Sequence, residues 1–158
     1  MPGILSWRQL LGFNMAITQA ICDTFKQQLF EAQHNFTAGT GNAFYLALYT
    51  SAANIGASTT AYTTSGEVSS TGTNYPAGGG LLTSLGVSLS SSTAFLDFND
   101  LTFANVTLTA RGCLIYNFTN ANKSVAVFDF GSDKTATSGD FTVIFPPAAP
   151  STAVIRLV

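Results

Sequence analysis

Charge is what this sequence has least of. Only 9% of its 158 residues are Asp, Glu, Lys or Arg, against roughly 25% in an ordinary globular domain. Ser, Thr, Asn, Ala and Gly stand in their place. Because 46% of the chain is hydrophobic, the scarcity of charge does not signal disorder, which pairs high charge with few apolar residues. The six Lys and Arg are scattered and the net charge is -2. No basic stripe exists to neutralise several phosphates, so nucleic acid is not an expected partner. Long apolar runs are missing too: residues 3–20 are interrupted by Arg8, Gln9 and Asn14, short of the roughly 18–20 residues that span a bilayer. The same stretch lacks the basic start and small-residue cleavage pattern of a signal peptide. Neither membrane insertion nor export is expected.

Histidine and cysteine are almost as scarce, and their scarcity bounds the chemistry. A Ser-His-Asp or Cys-His site would have to use His34, the one histidine, and no Gly-x-Ser-x-Gly elbow is present. A zinc site needs three or four converging ligands, which one histidine and two remote cysteines do not supply. Cys22 and Cys113 read as buried free thiols that act as small apolar residues. The acids Asp129, Asp133 and Asp140 border one expected loop but match no EF-hand spacing. Glu67, Asp97 and Asp100 are available as a carboxylate pair, as acids are in any all-β chain. Gly78-Gly79-Gly80 is not followed by the Lys-Ser/Thr of a phosphate loop. No catalytic residue, cofactor or metal ligand is assigned, and the chain is not expected to be an enzyme.

What the sequence does contain is apolar pattern. At 158 residues it is the size of one domain with a sizeable core. Ile17, Ala20, Ile21, Phe25, Leu29 and Phe30 recur at helical spacing with polar residues between them, predicting an amphipathic helix within residues 15–36. Residues 1–14 hold the single tryptophan, Trp7, with Leu10, Leu11 and Phe13, and read as an arm or a second short helix. From residue 37 the chain turns β-rich. Strands are predicted at 43–50, 81–89, 93–98, 101–109, 113–118, 124–130, 141–145 and 153–158. Turns are expected at 99–100 and 120–122, a polar loop at 131–139, and an irregular crossing at Pro146–Pro150. A Ser/Thr/Gly-rich loop fills about 51–80, with Tyr62, Val68 and Tyr75 as anchors; an edge strand near 62–68 is the alternative. Short strands about ten residues apart predict an all-β fold, an antiparallel sandwich or barrel, preceded by one amphipathic helix.

Several strings, in their order and spacing, carry a resemblance. Phe44-Tyr-Leu-Ala-Leu-Tyr-Thr-Ser-Ala-Ala-Asn-Ile-Gly-Ala, Thr60-Ala-Tyr-Thr-Thr-Ser-Gly-Glu-Val, Ala110-Arg-Gly-Cys-Leu-Ile-Tyr-Asn, Val125-Ala-Val-Phe-Asp-Phe-Gly and Gly139-Asp-Phe-Thr-Val resemble small virion proteins of tailed bacteriophages. With the stretch from Met15 they cover most of the chain except residues 1–14. The resemblance implies a capsid decoration or cement protein: a jelly-roll-type β-sandwich on the outer surface of the capsid that clamps subunits of the major capsid protein and self-associates. Trp7, Leu10, Leu11 and Phe13 in the arm, and Tyr62 and Tyr75 in the 51–80 loop, are then the expected contact residues. Two alternatives stay open: a tail, fibre, baseplate or head–tail joining piece, and a carbohydrate-binding module whose surface aromatics, Tyr62 and Tyr75, recognise a host glycan.

Overall fold

A computed structural model describes residues 16–158, so the expected arm and its Trp7, Leu10, Leu11 and Phe13 lie outside the described residues. Among those described, eight strands and one short helix follow in the order β1 (Ala20–Ile21), α1 (Asp23–Phe30), β2 (Phe44–Tyr49), β3 (Gly80–Leu82), β4 (Ser84–Ser90), β5 (Thr93–Phe98), β6 (Leu101–Asn117), β7 (Lys123–Val143) and β8 (Ile155–Leu157). They form a five-stranded sheet, order β1-β7-β6-β2-β3, and a three-stranded sheet, order β4-β5-β8. Every strand pairing is antiparallel.

The large sheet is organised by its most apolar runs. Leu114, Ile115, Val125, Ala126 and Val127 are fully buried without alternation, as expected where a strand is covered on both faces. The two sheets share one core. Aromatic rings join them: Phe36 lies flat on Phe44 with centroids 4.2 Å apart, and Phe98 of the small sheet meets both.

The expected helix is much shorter than its periodicity. Ile17 bridges Ile55 in parallel, Ala20 and Ile21 pair with Val127 and Ala126, and helix begins only at Asp23. Ile55 and the open edge of β7 give the β-branched residues Ile17 and Ile21 backbone partners that a helix would forgo. Ala32, at φ 54, turns the chain away just past the C-terminus. Phe25 fills the core, while Phe30 is 96% exposed.

Two further expectations change. Residues 131–139 are strand, not loop: β6 and β7 run as one long hairpin past the centre of the sheet. Register shifts between Phe103 and Val106 and between Ala110 and Gly112 hold the ladders together where the two strands differ in length. Hydroxyl pairs Thr102–Thr142 and Thr109–Thr135, each at 2.9 Å, link the strands on the exposed face. The expected strand 81–89 is divided at Thr83, where the chain leaves the large sheet and enters the small one.

Candidate functional site

Before β3 opens at Gly80, the 51–80 segment contains little regular structure, only single bridges from Ile55 to Ile17, from Glu67 to Tyr49 and from Ala61 to Lys123. It is nevertheless tied down, and Glu67 is the tie. One carboxylate oxygen accepts the Tyr75 hydroxyl at 3.0 Å and the Gly78 N–H at 2.7 Å. The other accepts the Tyr62 hydroxyl at 2.6 Å. Tyr75 also accepts the Leu48 N–H at 2.8 Å, which joins the segment to β2. Tyr116 donates to the Gly78 carbonyl at 2.7 Å and stacks on Tyr62 with centroids 4.8 Å apart. Burial, reinforced by the Glu67 charge, pushes the Tyr116 phenol up to about 12 and those of Tyr62 and Tyr75 above their ordinary range. These hydroxyls remain protonated donors.

Gly79 shows how closely the segment packs. At φ 83, its missing Cβ would lie 1.8 Å from the Leu46 carbonyl oxygen. Gly79 thus marks a close approach of two backbones, while Gly78 and Gly80 face side chains, of Tyr116 and of Leu101 and Phe103.

The network revises the expected contact residues. Tyr75 is 2% exposed and belongs to the core, so its ring is not a surface contact. Tyr62 is half-buried, with one face on Tyr116. Glu67 is one acid among eight in the sequence, and no pattern around it marks a carboxylate that gathers donors from Tyr62, Tyr75 and Gly78.

His34 lies past α1, within 2.8 Å of Gln28 Oε1, while Asn117 donates to its Nδ1 at 3.1 Å. Its ring rests against Phe25 with centroids 4.9 Å apart. Burial, then the nearby Lys123 charge, lowers its pKa to about 4, so at neutral pH it is an uncharged hydrogen-bonding bridge between Gln28 and Asn117. Asn117 is itself fully buried and also donates to Asn42 Oδ1 at 2.9 Å. Cys22 and Cys113 are both free and buried, and burial raises both thiol pKa values, the opposite of what a reactive thiolate requires. Asp129 pairs with Arg111 at 2.9 Å, and Asp140 accepts the Asn105 N–H. Among the described residues no three His, Cys, Asp or Glu converge as a metal site.

What remains is surface. Alternation puts Val87, Leu96 and Ile155 in one cross-strand row and Leu89, Ala94 and Leu157 in the next, on the same face of the small sheet. Leu96 and Ile155 are buried in the core, but Val87, Leu89 and Leu157 are 60%, 74% and 57% exposed. The core face therefore runs on beyond the core as an apolar ledge. A groove of about 470 Å³ opens there, lined by Val87, Leu96, Ile155 and Leu157 on one side and Phe25, Leu29 and Phe36 on the other. Phe30 stands beside it, with Leu29 and Leu157. No protein-family model, curated protein or solved structure matches this chain.

Proposed function

We propose that this chain is a structural protein of tailed-bacteriophage virions, a decoration or cement protein that binds the shell of the major capsid protein from outside. The observation that carries the reading is the apolar ledge formed by Val87, Leu89 and Leu157 beside Phe30. A contiguous exposed apolar surface marks a protein contact, and a chain with 9% charged residues has few charges with which to stay apart from its neighbours. The order of strings that resembles small virion proteins supports the same class. The reading asks of the fold only two antiparallel sheets around one core, and jelly-roll connectivity is not required by it. The carbohydrate-binding alternative has less to stand on, since Tyr75 is buried.

Copy number in purified particles tests the proposal. Quantitative mass spectrometry should give one copy per major capsid subunit, or a simple fraction of that. A handful of copies per particle would move the chain to the tail, fibre, baseplate or joining region. Absence from particles would overturn the virion reading altogether.

A further inference from the structure

Of the sheet edges left open among the described residues, β4 is the least defended. Its seven residues, Ser84–Ser90, contain no charge and no proline. β7 is also unpaired beyond Val127, but Asp133, Lys134 and Asp140 lie along it and Gly131 and Ser138 have positive φ, devices that keep an edge from pairing. β3 and β8 are three residues long.

The hydrogen-bonding phase of the β4 edge follows from its hairpin. Ser90 and Thr93 close a two-residue turn to β5. The closing pair of such a hairpin exchanges both backbone hydrogen bonds, and bonded and non-bonded pairs alternate from there. Ser88 and Ser90 thus turn their backbone groups toward β5, while Val87 and Leu89 turn theirs to the open edge. The bulge between Ser84 and Val87, with Gly86 at φ 84, ends the regular stretch on one side. The turn at Ser91 ends it on the other.

We infer that β4 pairs antiparallel with β4 of a second copy of this chain, about a two-fold axis through Ser88. This register sets Val87 opposite Leu89 of the second copy, and Leu89 opposite its Val87. Both are pairs whose backbone groups face the partner, so four hydrogen bonds close and every N–H and C=O that Val87 and Leu89 of the two copies turn outward finds a partner. An axis through Val87 would need the bulged half of the strand, and an axis through Leu89 would need the turn. The two small sheets become one of six strands. The row Ile155–Leu96–Val87 continues into Leu89, Ala94 and Leu157 of the second copy, so the apolar ledges of the two copies join. A two-fold contact of this kind is isologous, and β4 meets its requirement without any like-charge clash.

The inference shares the apolar ledge with the virion reading but is tested separately from it, on the isolated full-length chain. Ser88 lies on the axis as a non-bonded pair, with Cα atoms about 4.5 Å apart, within disulfide reach. Ser90 of one copy lies about 14 Å from Ser90 of the other, four residues along at 3.4 Å rise and one strand spacing across, beyond that reach. Under mild oxidation Ser88→Cys should run as a covalent dimer on a non-reducing gel, and Ser90→Cys should not. Both native cysteines are buried and do not compete. Sedimentation should show a dimer for the unmodified chain and a monomer for Leu89→Lys, with an unchanged circular-dichroism spectrum because Leu89 is largely exposed. A monomer at every concentration, equal cross-linking at 88 and 90, or a persistent Leu89→Lys dimer would overturn the inference.

Discussion

Glu67 does at the scale of one residue what a long loop requires of its surroundings. Some thirty residues without regular strands are tied to the sheet by scattered backbone bonds, among them Tyr62 to Asn122, Val68 to Leu48 and Thr107 to Thr73, and to one another by side chains that reach a single carboxylate. Removing that carboxylate leaves the Tyr75 hydroxyl and the Gly78 N–H without their acceptor in a buried setting, and each such orphan costs about 1–3 kcal/mol. Glu67→Ala is therefore expected to lower stability by about 2–4 kcal/mol in urea unfolding. Glu67→Gln keeps one carbonyl oxygen for Tyr75 and Gly78, and its loss should stay near 1 kcal/mol, about that of one hydrogen bond. A loss below about 0.5 kcal/mol for Glu67→Ala, the range of an ordinary surface substitution, would show that the 51–80 segment is held by its backbone bonds and packing without the carboxylate.

Elements were legible in the sequence where pattern and neighbours agree, and misleading where they compete. The strand predicted at 93–98 is β5 to the residue, and the turns predicted at 99–100 and 120–122 are in place, because turn residues and apolar runs act locally. Residues 131–139 carry the composition of a polar loop, and their strand character depends on the ladder to β6 and on the Thr109–Thr135 hydroxyl pair beside it, which a single strand does not display. The helix is the clearest case. A six-member apolar stripe from Ile17 to Phe30 fits one helical face, yet Ile55 claims Ile17, the open edge of β7 claims Ala20 and Ile21, and Phe30 is left in solvent. The contrast can be measured. Phe25→Ala should cost about 3–5 kcal/mol as a core cavity, whereas Phe30→Ser should change monomer stability by less than about 0.5 kcal/mol. Equal losses in urea unfolding would mean that the whole stripe is buried and the helix longer than Asp23–Phe30.

For the whole molecule the two buried thiols divide the structure into parts of unequal strength. Cys113 sits in β6 between Leu48 of β2 and Phe128 of β7, so exposing it requires parting the centre of the large sheet. Cys22 follows a two-residue strand and precedes an eight-residue helix. It is kept from water by the Cys22–Val125 and Asp23–Ala57 backbone bonds and by the packing of Phe25. Local opening draws on the weakest contacts, and global opening on all of them. Because burial holds both thiols protonated, neither reacts until it is exposed. In a thiol-labelling experiment followed by mass spectrometry, Cys22 should label first, at a rate nearly independent of low urea. Cys113 should label only at the rate of global unfolding, rising steeply with urea. Labelling of both at one urea-dependent rate would instead make β1 and α1 part of a single cooperative unit with the sheet, held there by the ladder to β7 rather than by the helix's own face.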